Sequence, residues 1–410
     1  MRKSSVGSAG MSTARLERLG PAMQSYVDRG IYAGISTIVA RRGVVVQEGQ
    51  YGLRDKEAGL PMTEDTIFRL YSMTKPIVCT AFMTLFEEGR FRLIDPVCRY
   101  VSSFAAVKVL QADGTLANPQ RPVTLRDLMA HTSGLSYHFF DDTPVGRTYV
   151  NAKLLDPHAP LAAAIDDLAR YPLAFEPGMR WHYSVGIDVA ARVIEVISGQ
   201  TLADFLRERL FEPLGMVDTA FDVPASKRDR LAAMYGRPDI LDPAQTFKAA
   251  FTQWLGGTNE RIDVAGTYPI DAPATFQRGG HGLFGTVRDY FRFAQMLANG
   301  GEFDGVRILG RKTLALMHTN HLPLTLLPLK IGDLPLPGYG FGLGSRVALD
   351  VAETGAPGSV GEFGWSGAAK THYWVDPIEQ VVALFMTQSM SSFDLPELDL
   401  RALAYGAIVE

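Results

Sequence analysis

The chain has 410 residues, of which 47% are hydrophobic and 20% are charged, and its formal net charge is -4 at pH 7. This composition is typical of a globular protein with one large domain or two closely joined ones, and the small net charge favours neither nucleic acid nor an anionic membrane as a partner. The two cysteines form no C-x-x-C pair, so neither a cysteine zinc site nor a redox motif is indicated.

The first part of the chain predicts a helix and then a β-hairpin. Apolar residues at helical spacing predict an amphipathic helix from about 12 to 30. Residues 34–40 and 44–51 are rich in β-branched side chains and flank a turn at 41–43, so we expect two antiparallel strands. The basic first residues are followed by small polar ones rather than by an apolar segment. We therefore expect a cytoplasmic protein without a signal peptide or a membrane span.

The next stretch, Ser72-Met73-Thr74-Lys75, organises the rest of the chain. An extended run leads into it, and apolar residues recur at helical spacing from 77 to 86. Pro76 is tolerated only in the first turn of a helix, so the helix begins within a few residues of Ser72. Residues three apart share one helical face, and the Lys75 amine can therefore reach the Ser72 hydroxyl. This is the S-x-x-K arrangement of serine acyl-transfer enzymes.

Helices and loops dominate the middle of the chain, and strands return near its end. Residues 72 to about 220 are nearly all helix and loop, and the Pro- and aromatic-rich segment 136–160 is expected to be a mobile loop over a site. Residues 221–275 show no clear period. The last part predicts a helix at 286–297, a loop at 322–337, strands at 339–349, 368–375 and 380–387, and a final helix at 395–409.

Strands at both ends with helices between them predict an α/β fold of the α+β type. A mainly antiparallel sheet takes its strands from both chain ends, and the terminal helices flank it. We expect residues 12–71 and 276–410 to form this α/β domain. Residues 72–275 are expected to form a mainly helical lobe, with the Ser72 helix at the junction of the two.

A nucleophilic serine paired with lysine usually needs a third proton handler and an oxyanion site. Tyr183 is the best candidate for the first, because it follows a Pro-Gly turn and precedes a helix; the alternative is a tyrosine that packs between helices. The segment 363–368 is the candidate for the second, since its glycines allow close backbone approach; the alternative is a plain turn with a packing tryptophan. The sequence contains no G-x-S-x-G or H-E-x-x-H motif, and its eight histidines show no ligand spacing.

Together these motifs resemble the serine β-lactamase and penicillin-binding protein superfamily, and within it the class C-like branch. The resemblance extends from about residue 12 to 405 and rests on motifs that occur in the matching order: Ser72-x-x-Lys75, His131-Thr132-Ser133-Gly134-Leu135, Tyr183-Ser184 after a Pro-Gly turn, and Gly364-Trp365-Ser366-Gly367. The chain looks most like the family VIII carboxylesterases and the fungal acyltransferases that load a side chain onto a statin precursor.

The resemblance implies a role for each motif residue. Ser72 becomes the nucleophile, Lys75 and Tyr183 become its acid/base partners, and the backbone N–H groups of Ser72 and Ala368 become the oxyanion hole. It also implies a β-lactamase/transpeptidase-like fold with no cofactor and no metal. Which of Lys75 and Tyr183 acts as the base stays open at this point.

Two departures from class C β-lactamases bear on the substrate. Val185 stands where those enzymes carry an asparagine that helps to hold the lactam side chain. Trp365-Ser366-Gly367 stands where they carry Lys-Thr-Gly, whose lysine helps to hold the lactam carboxylate. Both changes remove polar groups, so we expect Val185, Trp365, Ser366 and Gly367 to form a substrate site for an uncharged ester.

The sequence therefore favours a serine carboxylesterase that hydrolyses short-acyl esters through a covalent acyl-enzyme on Ser72. The nearest alternative is a β-lactamase, D-aminopeptidase or acyltransferase of the same superfamily, and a more distant one is a non-catalytic binding module on this fold. The complete set of Ser72, Lys75 and Tyr183 argues against the binding module. The expected partner is a small-molecule ester, with no nucleic acid and no membrane, and the sequence indicates no oligomeric state.

Overall fold

The computed structural model describes residues 9–256, 259–271, 276–390 and 395–410. Its α-helices are α1 Thr13–Leu16, α2 Leu19–Asp28, α3 Thr74–Glu87, α4 Leu125–Met129, α5 Pro144–Thr148, α6 Leu161–Leu168, α7 Gly186–Ser198, α8 Leu202–Leu206, α9 Glu212–Leu214, α10 Phe247–Gly256, α11 Val287–Ala298, α12 Arg311–Met317, α13 Val351–Thr354 and α14 Pro396–Gly406. Short 3₁₀ turns lie at Tyr71–Met73, Val97–Arg99, Ser102–Ala106, Tyr149–Asn151, Lys153–Leu155, Ala225–Arg230 and Leu324–Leu326, and a π turn lies at Arg207–Phe211.

The strands are mostly short. They are β1 Gly34–Arg41, β2 Val44–Asp55, β3 Leu60–Pro61, β4 Ile67–Arg69, β5 Val109–Leu110, β6 Leu116–Ala117, β7 Phe284–Thr286, β8 Glu302–Phe303, β9 Val306–Arg307, β10 Leu329–Ile331, β11 Leu334–Leu336, β12 Tyr339–Phe341, β13 Arg346–Ala348, β14 Phe363–Gly367, β15 Thr371–Asp376 and β16 Val381–Met386.

Among the described residues, an eight-stranded sheet joins the two ends of the chain. Its order is β12-β13-β14-β15-β16-β1-β2-β3, and all its neighbouring strands are antiparallel. The first strand, β1, pairs with the last, β16, with Ser36 opposite Met386. The predicted mainly antiparallel sheet from both chain ends, flanked by helices, is therefore confirmed.

The central strands β1 and β16 are buried along their whole length, because helices cover both faces of the sheet. On one face, Ile35 and Val39 pack in an apolar cluster with residues of α2 and α14. On the other face, Ile38 joins the main core, and α11 contacts the same strands. Alternate side chains of a strand point to opposite faces, so a strand covered on both sides is apolar at almost every position.

Three predicted segments at the C-terminal end of the chain differ from the structure. Residues 322–337, expected to be a loop, contain the hairpin β10–β11. The single strand expected at 339–349 is divided into β12 and β13. Residues 363–367, expected to lie just before a strand, form a strand of their own, β14, which pairs with both β13 and β15. Strands this short contain too few residues to show a clear alternation in sequence. The two glycines of β14 weaken the strand, and its pairing with neighbours on both sides compensates for this loss of stability.

Two segments in the middle of the chain are also more regular than expected. Residues 221–275, which lack a clear period in sequence, contain helix α10. Residues 136–160 contain α5 and two 3₁₀ turns. Thr143 caps α5 by accepting a hydrogen bond from the Gly146 N–H at 3.3 Å, and Pro144 occupies the first helical position. These two segments form part of the pocket described below.

Helix α3 connects the sheet to the helices of the middle region. All residues from Thr74 to Leu85 are buried, as expected for a helix that is apolar on all sides and lies in a core. α3 contacts α7, and the 3₁₀ turn before it contacts β14 and β15. The division into an α/β domain and a helical lobe stays a prediction. Within the described ranges, no helix combines the length and apolarity needed to cross a bilayer.

A buried ion pair fixes α14 to the sheet next to β14. Both guanidinium NH groups of Arg401 donate to the Glu362 carboxylate, at 2.6 Å and 2.8 Å. The two side chains are only 5% and 1% exposed. The Tyr405 hydroxyl donates to the same carboxylate at 3.2 Å. Glu362 immediately precedes β14, so the terminal helix contributes to holding a strand of the site.

Replacing Arg401 by alanine should destabilise the protein strongly, because the Glu362 carboxylate would stay buried without its cation. The expected loss is about 3–5 kcal/mol in the free energy of unfolding, measured by denaturant titration. The control is Arg170→Ala, since Arg170 is 81% exposed and pairs with Asp167 at 3.7 Å; there we expect about 1 kcal/mol or less. Equal losses for the two variants would contradict the importance of the buried pair.

Candidate active site

The chain turns sharply just before the serine of the S-x-x-K motif. Tyr71 has a φ of +46°, a left-handed conformation that side chains rarely adopt. It opens the 3₁₀ turn Tyr71–Met73, which runs directly into α3. Tyr71 is buried, and its backbone N–H donates to the Tyr268 hydroxyl at 3.3 Å. The surrounding core therefore holds a strained turn that presents Ser72 at the start of the helix.

Lys75 lies one turn further on and is fully buried. Its Nζ donates to Ser72 Oγ at 3.0 Å and to the backbone carbonyl of Gly280 at 2.7 Å. Burial lowers the pKa of Lys75 to about 7, against a smaller opposing effect of the Asp188 carboxylate. Near neutral pH, a large fraction of this amine is in its uncharged, proton-accepting form.

Glycines allow the Gly280 carbonyl to reach the amine. A Cβ on Gly279 would lie 2.3 Å from the Ile187 carbonyl oxygen, and a Cβ on Gly280 would lie 2.5 Å from Asp188 Oδ2. The Gly280 N–H donates to Asp188 Oδ1 at 3.0 Å. Asp188 is fully buried in the first turn of α7, and this burial raises the pKa of its carboxyl. The Gly280 residue therefore links a carboxylate on α7 to the amine on α3 through its N–H and its carbonyl.

Tyr183 lies on the other side of the amine. The centre of its ring is 4.7 Å from Lys75 Nζ, and its hydroxyl accepts a hydrogen bond from Trp365 Nε1 at 3.3 Å. Burial raises the pKa of Tyr183, while hydrogen bonding with Ser72 and Trp365 opposes this rise to a lesser degree. The phenol is therefore protonated at neutral pH, next to the serine hydroxyl.

Strand β14 approaches the turn before Ser72 very closely. A Cβ on Gly367 would lie 2.4 Å from the Leu70 carbonyl oxygen. The Thr371 hydroxyl donates to that same carbonyl at 3.2 Å. Ala368 follows Gly367 and lines the pocket into which Ser72 opens. A side chain at 367 would push the strand away, so glycine is required for β14 to pack against the turn that contains Ser72.

Ser72 opens into a pocket of about 470 Å³. Segments without a clear sequence signal supply an apolar part of its lining, which consists of Ile240, Leu241, Phe247, Phe251, Trp254, Ile331, Leu334 and Leu336. A second part of the lining carries charged or ionisable side chains, which are Arg346, Lys370, His372 and Glu397. His372 lies opposite Ser366 in the pairing of β14 with β15. The pocket is therefore mainly apolar, with polar groups on the side of Ser366.

The structure brings most of the predicted site residues together. The pocket into which Ser72 opens is also lined by Tyr183, Trp365, Ser366, Gly367 and Ala368. Lys75 does not line this pocket but hydrogen-bonds Ser72 from the protein interior. Trp365 is only 4% exposed, and its indole contacts the Tyr183 ring as well as the pocket. Val185 instead lines a small adjacent cavity. No group of three or more His, Cys, Asp or Glu side chains among the described residues is arranged to hold a metal ion.

Sequence reasoning missed Asp188 and Gly280. A signal for Asp188 exists, because it is a single carboxylate in the otherwise apolar first turns of α7, five residues after Tyr183. Gly280 belongs to the glycine-dense stretch 279–285, but a glycine pattern alone does not show which backbone it approaches. The contact between these two residues depends on the packing of α7 against the stretch 279–281, which the sequence does not encode locally.

Comparison with known proteins gives consistent matches over most of the chain. A family model described as Beta-lactamase matches residues 21–407. Protein Rv1367c of Mycobacterium tuberculosis (strain ATCC 25618 / H37Rv) is 36% identical over 394 residues, which cover 93% of this chain and 91% of that protein. Esterase EstB of Burkholderia gladioli is 31% identical over 373 residues, which cover 87% of this chain and 86% of that protein.

A solved structure supports the fold. EstCE1, described as a hydrolase with promiscuous acyltransferase activity, matches with a TM-score of 0.79 and 26% sequence identity. The match covers 96% of this chain and 99% of that chain. The likeness therefore includes the sheet, the helical middle region and the segments around Ser72.

An organophosphonate should label Ser72 stoichiometrically, because its hydroxyl lies 3.0 Å from a buried amine whose pKa is about 7. Mass spectrometry of the digested protein should locate the label, and Ser72→Ala should take up none. That variant should stay folded, since one hydroxyl at a helix start is worth only about 1 kcal/mol. Ser366→Ala, which removes another serine of the pocket, should still be labelled. A label on Ser366, or uptake by Ser72→Ala, would show that another residue is the nucleophile.

Proposed function

The chain belongs to the Beta-lactamase family, and we propose that it is a serine carboxylesterase that forms a covalent acyl-enzyme on Ser72. Its relatives are named as an esterase and as a hydrolase, which supports serine hydrolase chemistry. Within the family, the motifs favour the family VIII carboxylesterases. The observation that carries the proposal is the buried Lys75 amine, which lies 3.0 Å from Ser72 Oγ and has a pKa of about 7.

Lys75 acts as the base in this mechanism. Its neutral Nζ takes the hydroxyl proton of Ser72 while Oγ forms a bond to the carbonyl carbon of the ester. The tetrahedral intermediate then loses the alcohol, and the proton on Lys75 passes through the Tyr183 hydroxyl to the leaving oxygen. Burial keeps Tyr183 protonated, so its phenol is ready to donate a proton at this step and to recover it from Lys75.

The backbone N–H groups of Ser72 and Ala368 stabilise the negative charge on the carbonyl oxygen of the intermediate. Backbone donors suit this role because they need no reorganisation when the charge develops. A water molecule then attacks the acyl carbon, Lys75 takes one proton from this water, and the Ser72 oxygen leaves and is protonated again. The products are a carboxylic acid and an alcohol, and the enzyme returns to its starting state.

The substrate we propose is an uncharged ester with a short acyl group. The pocket of about 470 Å³ also has room for a bulky apolar alcohol, since α10 and the β10–β11 hairpin contribute aromatic and aliphatic side chains to its lining. Pockets for small organic molecules are typically apolar with a few polar groups. An apolar ester would bury its hydrocarbon part against this lining.

Acyl transfer to a second alcohol is the alternative that the pocket favours most. The same lining that takes an apolar leaving alcohol would also take an incoming one, which then competes with water for the acyl-enzyme. EstCE1, which is named for both hydrolase and acyltransferase activity, supports this alternative. Adding an alcohol to the ester assay and separating the transfer product from the free acid measures the partition between the two reactions.

The hydrolysis rate should rise with pH through about 7 and then level off. Burial lowers the pKa of Lys75 to about 7, so the amine is protonated and inactive as a base below this value and neutral above it. The measurement is kcat/KM for p-nitrophenyl butyrate as a function of pH. A flat profile between about pH 6 and about pH 8 would contradict Lys75 as the base.

Matched variants separate the roles of the two acid/base residues. Lys75→Ala should reduce kcat/KM by ~10⁴-fold or more, the scale for loss of a member of a catalytic unit. Tyr183→Phe should be severely impaired and leave the protein folded. Lys312→Ala, which removes an exposed lysine on α12, should keep full activity. If Tyr183→Phe kept most of its activity, Tyr183 would be a packing residue.

Ester hydrolysis should be faster than β-lactam hydrolysis. Trp365 presents a buried indole where class C β-lactamases carry a lysine, so a lactam carboxylate loses a charge-assisted hydrogen bond worth roughly 1.5–3 kcal/mol. This corresponds to a factor of about 10 to 150 in rate. The measurement is kcat/KM for p-nitrophenyl butyrate and for nitrocefin on one preparation. If nitrocefin were turned over as fast as the butyrate ester or faster, the protein would be assigned as a β-lactamase and not as a carboxylesterase.

A further inference from the structure

A second, small cavity lies next to the catalytic pocket. Its walls come mainly from the segment 137–155 and the first turn of α7. Tyr137, Leu241 and His281 line both this cavity and the catalytic pocket, so these side chains form a partition between the two spaces. The centre of a water molecule has about 10 Å³ in which to move here. A site for one water needs roughly 10–15 Å³ by this measure.

Three polar atoms of residues lining this cavity have no hydrogen-bond partner among the described protein groups. They are Asp188 Oδ2, His138 Nε2 and His281 Nδ1. The three residues are 0%, 2% and 8% exposed, respectively. Buried polar atoms in native proteins are nearly always paired, either with protein groups or with ordered water. These three atoms belong to residues that line one space the size of a water molecule, and this combination points to a small polar ligand.

A water molecule matches the hydrogen-bonding capacity of these atoms. Burial lowers the pKa of His138 to about 4 and that of His281 well below its ordinary value. Both imidazoles are therefore neutral at pH 7, and each offers one donor and one acceptor nitrogen. A water can donate one hydrogen to the Asp188 carboxylate while it exchanges its other hydrogen bonds with the two rings.

We propose that this cavity binds one ordered water that bridges Asp188 to His138 and His281, and that Asp188, held in this way, is a positioning residue for Lys75. The second part rests on the proposed role of Lys75 as the base. Asp188 contacts none of the reacting atoms. It acts through Gly280, whose N–H it accepts at 3.0 Å and whose carbonyl accepts from Lys75 at 2.7 Å. The water orients the second carboxylate oxygen, and the carboxylate orients the Gly280 backbone.

Asp188 is also the charged group with the clearest effect on the amine. The titratable groups around Lys75 come from its own helix, from α7 and from three loops, and they are Cys79, Asp188, His131, Tyr137, Tyr183 and His281. Burial keeps the thiol, both phenols and both imidazoles uncharged. Arg278 acts on the Asp188 carboxylate from the side of the glycine-rich loop. Of these groups, Asp188 is the one that most raises the pKa of Lys75 against the effect of burial.

A crystal structure of the wild-type protein tests the water site directly. We expect an electron-density peak for a single water in the cavity, within hydrogen-bonding distance of Asp188 Oδ2 and at least one of His138 Nε2 and His281 Nδ1. A dry cavity would overturn the water site. So would a side chain that fills it, or a direct hydrogen bond between Asp188 Oδ2 and one of the two rings.

Asp188→Asn tests the positioning role. It removes a carboxylate that raises the pKa of Lys75, so the midpoint of the pH profile should move to lower pH. Above the midpoint, kcat/KM should fall by about ten- to hundredfold, because the neutral carboxamide accepts the Gly280 N–H more weakly and its NH₂ group cannot accept a hydrogen bond from the water, so the Gly280 carbonyl is held less firmly. The control is Asp289→Asn, which changes another buried carboxylate, one that hydrogen-bonds Thr219; its midpoint should stay unchanged. A reduced rate in Asp188→Asn with an unmoved midpoint would assign Asp188 a merely structural role and overturn the proposal.

Labelling of Ser72 by the phosphonate shows whether a negative result counts against this proposal or against the proposed esterase function. If the wild type is labelled and cleaves esters but the cavity is dry or the midpoint does not move, the water site or the positioning role fails alone. If the water is present but no ester is cleaved and Ser72 takes no label, the esterase proposal fails and the water site stands. If Asp188→Asn does not fold, the wild-type structure still decides the water site, and titration of the Lys75 amine by NMR in Asp188→Ala takes the place of the pH profile.

Discussion

The burial of the Lys75 amine is the constraint on which the site depends. An ammonium group removed from water is stable only if hydrogen bonds and an opposite charge replace its hydration. Its hydrogen-bond partners come from the turn before α3 and from the glycine-rich loop, and the opposing charge comes from α7. Three segments far apart in sequence must therefore meet at one nitrogen atom. The incomplete compensation is what lowers the pKa to a value at which the amine can exchange protons.

The electrostatic contrast between Lys75 and Tyr183 follows from the same burial. Low polarity disfavours the charged form of each, so the lysine loses its proton more easily and the tyrosine loses its proton less easily. The Trp365 indole N–H opposes the rise in the Tyr183 pKa, but as a neutral donor it opposes this rise less than the positive charge of a lysine would. Two groups with pKa values pushed apart in this way are suited to act as base and acid, respectively.

The sequence predicts the parts of this site that depend on local patterns. The S-x-x-K spacing, Pro76 and the apolar run after it predict the start of α3, and the strands predicted at both ends of the chain, of which the first two are rich in β-branched side chains, predict the sheet. Contacts between distant segments leave no such pattern. The three-residue strands β12 and β13 exist because neighbouring strands pair with them, and α10 has too few apolar repeats to stand out. Asp188 is visible as an unusual carboxylate, but its partner Gly280 becomes apparent only when α7 and the glycine-rich loop are in contact.

The pairing of β1 with β16 has a consequence for how the protein is made. These two strands form the middle of the sheet, yet nearly the whole chain separates them. During synthesis on the ribosome, β1 emerges early and its apolar residues have no final partner on one side until the last strands follow. Pairings between such distant segments form slowly, since a long loop must close first. β14, β15 and β16 also emerge late. The part of the pocket lining that β14 and β15 supply is therefore missing until synthesis is almost complete. Until then the exposed edge of β1 is a surface that a chaperone would need to shield.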